Sequence, residues 1–289
     1  MSPTQPVARL SEIAADYDVV FCDVWGVIHN GRESWPEACA ALARFAEARG
    51  PVVLVSNSPR PSSDVVAQLD HLKVPRESWQ GFVTSGDATL DELARRAPGR
   101  AWALGPARDR TLYEGMALTL VDGPEQADFI SCTGLYDDAR DTPETYRESL
   151  GIAAARDLPM VCANPDRIVQ RGDTIIYCAG ALADLYESLG GKVIMAGKPH
   201  EPIYRLSFER AQALLGRPVA RERVLAIGDG LVTDVMGAEA QGIDCLFVAK
   251  GIHGKAAMSA NGGLDVAGAQ SLLVEAGTRA RYSTLDLVW

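Results

Sequence analysis

Polar segments follow four apolar stretches of this sequence, at the positions where the strands of an α/β sheet would end. The segments are Asp23 with Trp25 and Gly26, Ser56-Asn57-Ser58, Gly197-Lys198-Pro199, and Gly228-Asp229-Gly230 with Thr233-Asp234. In open α/β sheets the ligand crevice lies beyond the carboxyl ends of the strands, so such segments can converge. The sequence therefore predicts one polar site that is assembled from four separated parts of the chain.

The residue types in these segments fit phosphoryl transfer. The carboxylate of Asp23 can attack phosphorus and form an aspartyl-phosphate. The hydroxyl of Ser56 and the ammonium of Lys198 can bind the phosphoryl oxygens, whose charge must be stabilised through the transition state. Asp229 and Asp234 supply hard oxygen ligands, and Mg²⁺ typically takes one or two carboxylates plus substrate and water. These residues together predict a carboxylate nucleophile that acts with a bound magnesium ion.

Composition excludes several classes of partner. The chain has 289 residues, a length that favours about two domains. Its net charge of −10 disfavours nucleic acid and anionic membranes as partners, although a locally positive or metal-containing pocket can still bind a small phosphate ester. The first residues do not show the pattern of a signal peptide, so we expect none, and no apolar run approaches the ~20 residues that a membrane helix needs. The six cysteines form no C-x-x-C pair, so we expect reduced thiols and a cytoplasmic protein.

Short apolar stretches alternate with helical patterns along most of the chain. Strands are predicted at 19–24, 52–56, 81–84, 101–104, 129–133, 160–163, 192–195, 224–227 and 244–248. Helices are predicted at 36–48, 64–72, 88–96, 143–155 and 201–215. Strands that are apolar on both faces and alternate with helices are typical of a parallel α/β sheet.

The four motifs resemble those of the haloacid dehalogenase-like hydrolases. The order Asp23-Val24-Trp25-Gly26-Val27, Ser56-Asn57, Gly197-Lys198-Pro199 and Gly228-Asp229 with Thr233-Asp234 is similar to the four motifs of that family. Further details resemble its class IIA branch, which includes sugar-phosphate and nucleotide phosphatases: Gly31 with Pro36-Glu37-Ala38, His200 after Pro199, and Val235 with Gly237-Ala238. The similarity extends over about residues 18–251.

This resemblance implies a fold and a role for each motif residue. The fold would be a Rossmann-like parallel sheet formed by 1–84 and 190–289, with an α/β cap inserted at 85–189. Asp23 would be the nucleophile, with Ser56 and Lys198 as further catalytic residues and Ser56, Asn57 and Lys198 binding phosphate. Mg²⁺ would be held by Asp23, the Trp25 backbone carbonyl, Asp229 and Asp234.

Trp25 departs from the family pattern. Phosphatases of the family usually carry an aspartate at this position, which protonates the leaving oxygen and then deprotonates the attacking water. An indole has only a weakly acidic N–H and no basic lone pair, so it can do neither. General acid–base catalysis is worth roughly 10²–10⁴-fold, or about 3–5 kcal/mol of barrier. His29 is the nearest titratable group that could replace the missing acid and base.

Three functions remain open on this sequence. The first is a magnesium-dependent phosphoric monoester hydrolase that acts on a small phosphorylated metabolite, a sugar phosphate or a nucleotide, through Asp23. The second is hydrolysis or phosphotransfer restricted to leaving groups acidic enough to depart unprotonated. The third is a protein that binds a phosphorylated ligand with slow turnover or none. The sequence allows a homo-oligomer but shows no feature that supports one.

Two other catalytic patterns are disfavoured. Ser56, Ser58 and His200 could be imagined as a hydrolase triad, but the G-x-S-x-G elbow is missing from the sequence. Thr233 stands where a dinucleotide-binding G-x-G-x-x-G motif needs its third glycine.

Overall fold

The computed structural model describes residues 3–171, 174–251, 253, 256–259 and 261–289. The chain divides into two compact units. The first comprises Met1–Ser56, Ser62–Val83 and Lys198–Trp289, and the second comprises Asn57–Pro61 and Thr84–Gly197.

The strands of the described chain are short and mostly alternate with helices. In chain order they are β1 Gln5–Pro6, β2 Val19–Cys22, β3 Val52–Ser56, β4 Gly81–Thr84, β5 Gly99–Leu104, β6 Leu118–Val121, β7 Phe129–Cys132, β8 Pro159–Cys162, β9 Ile168–Arg171, β10 Thr174–Tyr177, β11 Lys192–Met195, β12 Val224–Gly228, β13 Asp244–Val248 and β14 Tyr282–Thr284. The α-helices are α1 Pro36–Ala48, α2 Ser62–His71, α3 Ser85–Ala94, α4 Arg147–Ala155, α5 Ala179–Ser188, α6 Glu201–Leu215, α7 Met236–Gln241 and α8 Val266–Glu275.

The first unit is built on a seven-stranded sheet in the order β1-β14-β13-β12-β2-β3-β4. Parallel pairing joins β1 to β14, β14 to β13, β13 to β12, β12 to β2 and β2 to β3. β2 therefore lies in the interior of the sheet, between β12 and β3. The predicted α/β fold with a parallel sheet is confirmed.

The central strands are buried on both faces because their side chains are apolar throughout. All four residues of β2 and all five of β12 are buried. The core of this unit includes Leu42 and Phe45 of α1, Leu54 of β3 and Leu246 of β13, and each of these side chains is fully buried. α1 begins at Pro36, a residue that suits the first turn of a helix because it lacks the N–H that would remain unpaired there.

The second unit has a separate five-stranded sheet in the order β11-β8-β7-β5-β6, with all pairs parallel. Its main core includes Trp102, Leu150 and Tyr186. β9 and β10 form an antiparallel pair of their own. β11 pairs with β8 in this sheet, whereas the boundary expected at residue 190 would have assigned β11 to the first unit.

The six cysteines, all within the described chain, are free thiols, and five of them are buried. Among the described helices, none has both the length and the apolar character that crossing a membrane requires.

Candidate active site

Three neighbouring strands of the first unit place the predicted residues at one edge of its sheet. Asp23 directly follows β2, Ser56 is the last residue of β3, and Asp229 directly follows β12. The N–H of Asp23 still donates to the carbonyl of Ile227 at 2.8 Å, so the sheet register extends up to the carboxylate. Parallel pairing of β3, β2 and β12 thus brings together residues that are distant in the sequence.

Lys198 lies at the centre of the site. Its Nζ is 2.5 Å from Asp23 Oδ1 and 2.7 Å from Asp234 Oδ1, and it donates to the carbonyl of Val55 at 2.9 Å. The side chain is only 4% exposed. A lysine that is buried and held by three acceptors keeps its ammonium in one position, so its charge is fixed before any ligand arrives.

Three carboxylates lie close together at this site, and two of them contact Lys198. Oxygen atoms of Asp23, Asp229 and Asp234 all lie within 4.8 Å of one another. The side chains of Asp23 and Asp234 are 11% and 6% exposed, and Asp229 is buried. Burying several like charges is costly unless opposite charge accompanies them. A hard divalent cation therefore fits this set of oxygens, since it supplies the positive charge that Lys198 alone does not.

The charges also shift the proton affinities of the two groups at the centre. Burial raises the pKa of Asp23 to about 7, the neighbouring charge of Asp234 adds to this rise, and Lys198 opposes it. Burial alone would lower the pKa of Lys198, but the two carboxylates outweigh it and hold the pKa above the usual lysine value. The lysine therefore remains an ammonium. A further positive charge near Asp23 would stabilise its ionised carboxylate and lower its pKa.

A wide helical turn positions Asp234. The segment Leu231–Val235 precedes α7, and its N–H groups reach back five residues, as in Val235 N to Gly230 O at 3.0 Å. Asp234 Oδ2 in turn accepts from the N–H of Gly230 at 3.0 Å. Such widened turns are rare and occur often at functional sites. The sequence contained the residues of this turn but no signal of its geometry.

Two glycines make room for Asp229. A Cβ on Gly26 would lie 2.1 Å from Asp229 Oδ2, and a Cβ on Gly251 would lie 1.9 Å from the same atom. Neither position therefore tolerates a side chain while this carboxylate keeps its place. Sequence reasoning noted Gly26 but missed Gly251, which follows β13 in a segment that carried no other motif.

Trp25 and His29 are placed very differently. The indole of Trp25 is 57% exposed, whereas His29 is buried at 2% exposure. The Nδ1 of His29 accepts from the N–H of Gly31 at 3.0 Å, and burial lowers the pKa of the imidazole. Because Nδ1 is an acceptor, the neutral ring carries its proton on Nε2. A neutral, buried imidazole is a weak acid, so this geometry disfavours His29 as the replacement acid.

Ser56 and Asn57 are the other two residues that were predicted to bind phosphate. Ser56 is half-buried and follows Val55, whose carbonyl accepts from Lys198. Asn57 belongs to the second unit, where its side-chain oxygen lies close to Gly197. The phosphate-binding roles of Ser56 and Asn57, and the role of the Trp25 carbonyl as a metal ligand, stay predictions.

Comparison with known proteins shows the family of this chain. A family model described as haloacid dehalogenase-like hydrolase matches residues 20–119, and a second model, described as HAD-hydrolase-like, matches residues 195–263. A crystal structure of a hydrolase of the haloacid dehalogenase-like family from Brucella suis 1330 is 43% identical. It covers 98% of this chain and 100% of its own, with a TM-score of 0.75. The chain therefore belongs to the haloacid dehalogenase-like hydrolase family, as its motifs predicted.

Named relatives within this family are phosphatases. The 5′-nucleotidase YutF of Bacillus subtilis (strain 168) is 28% identical over 82% of this chain and 88% of its own length. The structure of the glycerol phosphate phosphatase of Mycobacterium tuberculosis in complex with calcium is 25% identical. It covers 83% of this chain and 68% of that chain, with a TM-score of 0.63. YutF falls in the class IIA branch that the motif details indicated.

Proposed function

We propose that this protein is a magnesium-dependent phosphatase that hydrolyses monoesters of a small phosphorylated metabolite through an aspartyl-phosphate on Asp23. The observation that carries the proposal is the buried cluster in which Lys198 contacts both Asp23 and Asp234, with Asp229 alongside. This cluster combines a nucleophile, a fixed positive charge and a set of oxygen ligands. Family membership and the named phosphatases among the relatives support the same reaction.

In the proposed first step, an oxygen of Asp23 forms a bond to phosphorus while the bond to the leaving oxygen breaks. The electron pair of the broken bond departs with the leaving oxygen. Lys198, held between Asp23 and Asp234, stabilises the negative charge of the phosphoryl oxygens. Water then attacks phosphorus, which releases inorganic phosphate and restores the carboxylate of Asp23.

Magnesium would be held by Asp23, Asp229 and Asp234, together with the Trp25 carbonyl. When bound, the ion neutralises charge between the carboxylate nucleophile and the anionic ester, so that the two can approach. The related glycerol phosphate phosphatase of Mycobacterium tuberculosis has been solved in complex with calcium and in complex with magnesium, which supports a divalent ion as the cofactor.

The substrate class is proposed from the relatives. One relative is named a 5′-nucleotidase and another a glycerol phosphate phosphatase, and both names refer to small phosphorylated metabolites. We propose a sugar phosphate or a nucleotide as the substrate of this chain. Its net charge of −10 further disfavours a polymeric phosphate.

A second candidate function is phosphoryl-ligand binding with very slow turnover. The specific observation in its favour is the exposed indole of Trp25 at the position where the family usually has its acid and base. Without a base for the second step, the aspartyl-phosphate would form and persist. The two candidates therefore differ in the lifetime of the same intermediate.

Intact-mass measurement of the magnesium-loaded protein separates these candidates. After incubation with acetyl phosphate, slow turnover predicts a mass increase of one phosphoryl group that is absent in Asp23→Asn. Rapid hydrolysis predicts steady phosphate release with little trapped adduct. Asp18→Asn is the matched control, because Asp18 precedes the same strand at its other end. Neither adduct nor phosphate release with any ester would contradict the proposed function.

A further inference from the structure

A cleft of about 380 Å³ opens where the loops after β2, β13 and β14 meet the beginning of α1. All of its lining residues belong to the first unit. Its volume lies within the range of about 300–1,000 Å³ that is typical of pockets for small molecules. We call it the α1 cleft. Its lining, among the described residues, includes neither Asp23 nor Lys198, so the cleft is separate from the proposed nucleophile.

Much of the lining of the α1 cleft is apolar. Val27, Val248 and Leu287 contribute to it, and each of these side chains is almost fully buried. Trp35 also lines the cleft and packs against the same core as these three residues. The shape of the cleft is therefore set before a ligand arrives, which lowers the entropic cost of binding. The hydrophobic effect favours an apolar molecular body on this surface in place of water.

The charged groups of the α1 cleft leave an excess of one negative charge. The lining contains the carboxylates of Glu37 and Asp286 and the ammonium of Lys250. Lys250 Nζ lies 2.9 Å from Asp286 Oδ1, so these two charges offset each other. Glu37, in the first turn of α1, forms no ion pair with any other described residue. A cation in the cleft would therefore lie near a carboxylate whose charge no described side chain offsets.

Trp35 favours the same kind of ligand. The face of an indole attracts ammonium groups more strongly than the face of any other aromatic side chain. Trp35 precedes Glu37 by two residues, and both line the cleft. An apolar lining, an aromatic ring and excess negative charge together favour a ligand that combines an apolar body with one ammonium group.

The α1 cleft shares two residues with the surroundings of the candidate metal site. Gly26 and Gly251 both line the cleft, and a Cβ on either of them would lie within 2.1 Å of Asp229 Oδ2. The two glycines therefore lie between the cleft and this carboxylate. A ligand that fills the cleft removes space into which the glycines could move, and so helps to keep Asp229 in position.

We propose that the α1 cleft is an effector site for a small organic ammonium compound with an apolar body, and that binding there raises the affinity of the Asp229 site for magnesium. The coupling acts through Gly26 and Gly251. Such coupling is reciprocal, so magnesium raises the affinity for the ammonium compound by the same factor. This site lies beyond the proposed phosphatase reaction and involves no covalent step.

Calorimetry with the metal-free protein tests the binding. The probes are 2-phenylethylamine and 3-phenylpropanoate, which share a phenylethyl body and carry opposite charges at neutral pH. We expect the amine to bind at least about tenfold more tightly, because the carboxylate of the second probe would lie near the like charge of Glu37. Equal affinities for the two probes, or tighter binding of the carboxylate, would overturn the proposal.

Two substitutions should change the affinity for the amine in opposite directions. Glu37→Gln should weaken binding about fivefold, whereas Lys250→Met should strengthen it about threefold, because it leaves the carboxylate of Asp286 without its partner. Glu47→Gln is the matched control, since it removes the same charge from the other end of α1, outside the cleft. Equal melting temperatures would show that all variants keep the fold. The same loss of affinity in Glu47→Gln as in Glu37→Gln would mean that the amine responds only to net charge, and would overturn the site.

Magnesium titrations with and without 2-phenylethylamine test the coupling. At an amine concentration that saturates the wild type, we expect magnesium affinity to rise about fivefold, and to rise less in Glu37→Gln. Unchanged magnesium affinity would overturn the coupling. A lower affinity would show that the amine occupies the acidic cluster of Asp23, Asp229 and Asp234, and would overturn the proposal. Neither measurement involves turnover, so the effector site and the proposed phosphatase can fail independently.

Discussion

The two ends of β2 carry ion clusters of opposite composition. Asp18 precedes the strand and is surrounded by arginines: Arg223 at 2.6 Å, Arg217 at 2.9 Å and Arg49 at 4.0 Å. Asp23 follows the strand and shares Lys198 with Asp234, while Asp229 lies within 4.8 Å. Among the contacts of the described residues, one end has one carboxylate with three arginines, and the other has a lysine shared by two of three neighbouring carboxylates.

The surroundings shift the pKa values of these two carboxyl groups in opposite directions. Hydrogen bonds from Arg223, and then from Arg217, lower the pKa of Asp18 to about 2. Burial raises the pKa of Asp23 to about 7, with a further contribution from Asp234. The four residues of β2 separate these two carboxylates. Arginine side chains offset the negative charge of Asp18, whereas Asp23 shares one lysine with Asp234.

This difference distinguishes a structural ion cluster from a site prepared for a ligand. At Asp18 the protein supplies excess positive charge, and the side chains of the arginines are 32–54% exposed, so solvent screens the cluster. At Asp23 the charges are buried and the excess is negative, which favours a cation from solution. Active sites commonly contain arrangements of this kind, which lower the stability of the fold.

The largest expected effect is that of Asp23→Asn. We expect phosphoryl transfer to fall by at least about 10³-fold, because the amide cannot act as the nucleophile. Phosphate release under saturating substrate and magnesium is the measurement. Asp18→Asn should stay within about twofold of the wild type, since it lies at the other end of the strand. Equal losses in the two variants would mean that the fold, and not the nucleophile, is being tested.

Trp25→Asp adds a carboxylate to the acidic end and should restore a general acid and base. We expect turnover of alkyl phosphates to rise by about 10²-fold, while aryl phosphates change much less, because alkyl leaving groups need protonation. A series of esters with increasing leaving-group pKa measures the dependence of rate on acidity. An equally steep dependence in Trp25→Asp and the wild type would show that protonation at this position is not what limits the rate.

Asp229→Asn tests the metal proposal at the same cluster. We expect magnesium affinity to fall by at least about 10-fold, because mutating even the hydrogen-bonding partners of metal ligands typically costs about 10- to 100-fold. Thermal unfolding with increasing magnesium is the measurement, since a ligand at 100 times its Kd stabilises the fold by about 2.7 kcal/mol. The wild type and Asp18→Asn should both show the full shift. A full shift in Asp229→Asn as well would place the bound ion elsewhere.

The smallest effect concerns stability at the arginine-rich end. Asp18→Asn should lower the free energy of unfolding by about 1 kcal/mol near neutral pH, a value that allows for solvent screening of the cluster. Because the folded pKa of Asp18 is depressed, its contribution is present above about pH 4 and is lost as the pH falls towards about 2. Urea unfolding at several pH values in this window should show the two proteins converging.

Without metal, we expect the opposite change in stability for a substitution at the Asp23 end of β2. Asp23→Asn should raise the melting temperature, because it removes one of three clustered negative charges. A lower melting temperature in both Asp18→Asn and Asp23→Asn would contradict the comparison, since it would mean that both carboxylates stabilise the fold.

Much of the fold was predictable because it depends on local pattern. The strands Val52–Ser56, Gly81–Thr84, Lys192–Met195 and Asp244–Val248 begin and end where the sequence predicted, as do the helices Pro36–Ala48 and Glu201–Leu215. Their apolar stretches are long enough, or their ends marked well enough by proline and glycine, for periodicity to be read.

Two of the missed elements are too short to give a clear local signal. β1 has two residues and β14 has three, so neither shows an alternation that could be recognised. Their pairing with each other, and of β14 with β13, links segments far apart in the chain. The membership of β11 in the second sheet depended likewise on a distant partner, since its own sequence fits either sheet.

The sequence by itself determined which residues stand at the strand ends, and hence the family and the chemistry that their types allow. Tertiary structure decided the rest, because distances between segments depend on packing and not on spacing along the chain. Packing brings Lys198, 175 residues after Asp23, to 2.5 Å from its carboxylate. It also leaves the indole of Trp25 exposed while burying His29, a difference in environment that the spacing of the two residues along the chain did not indicate.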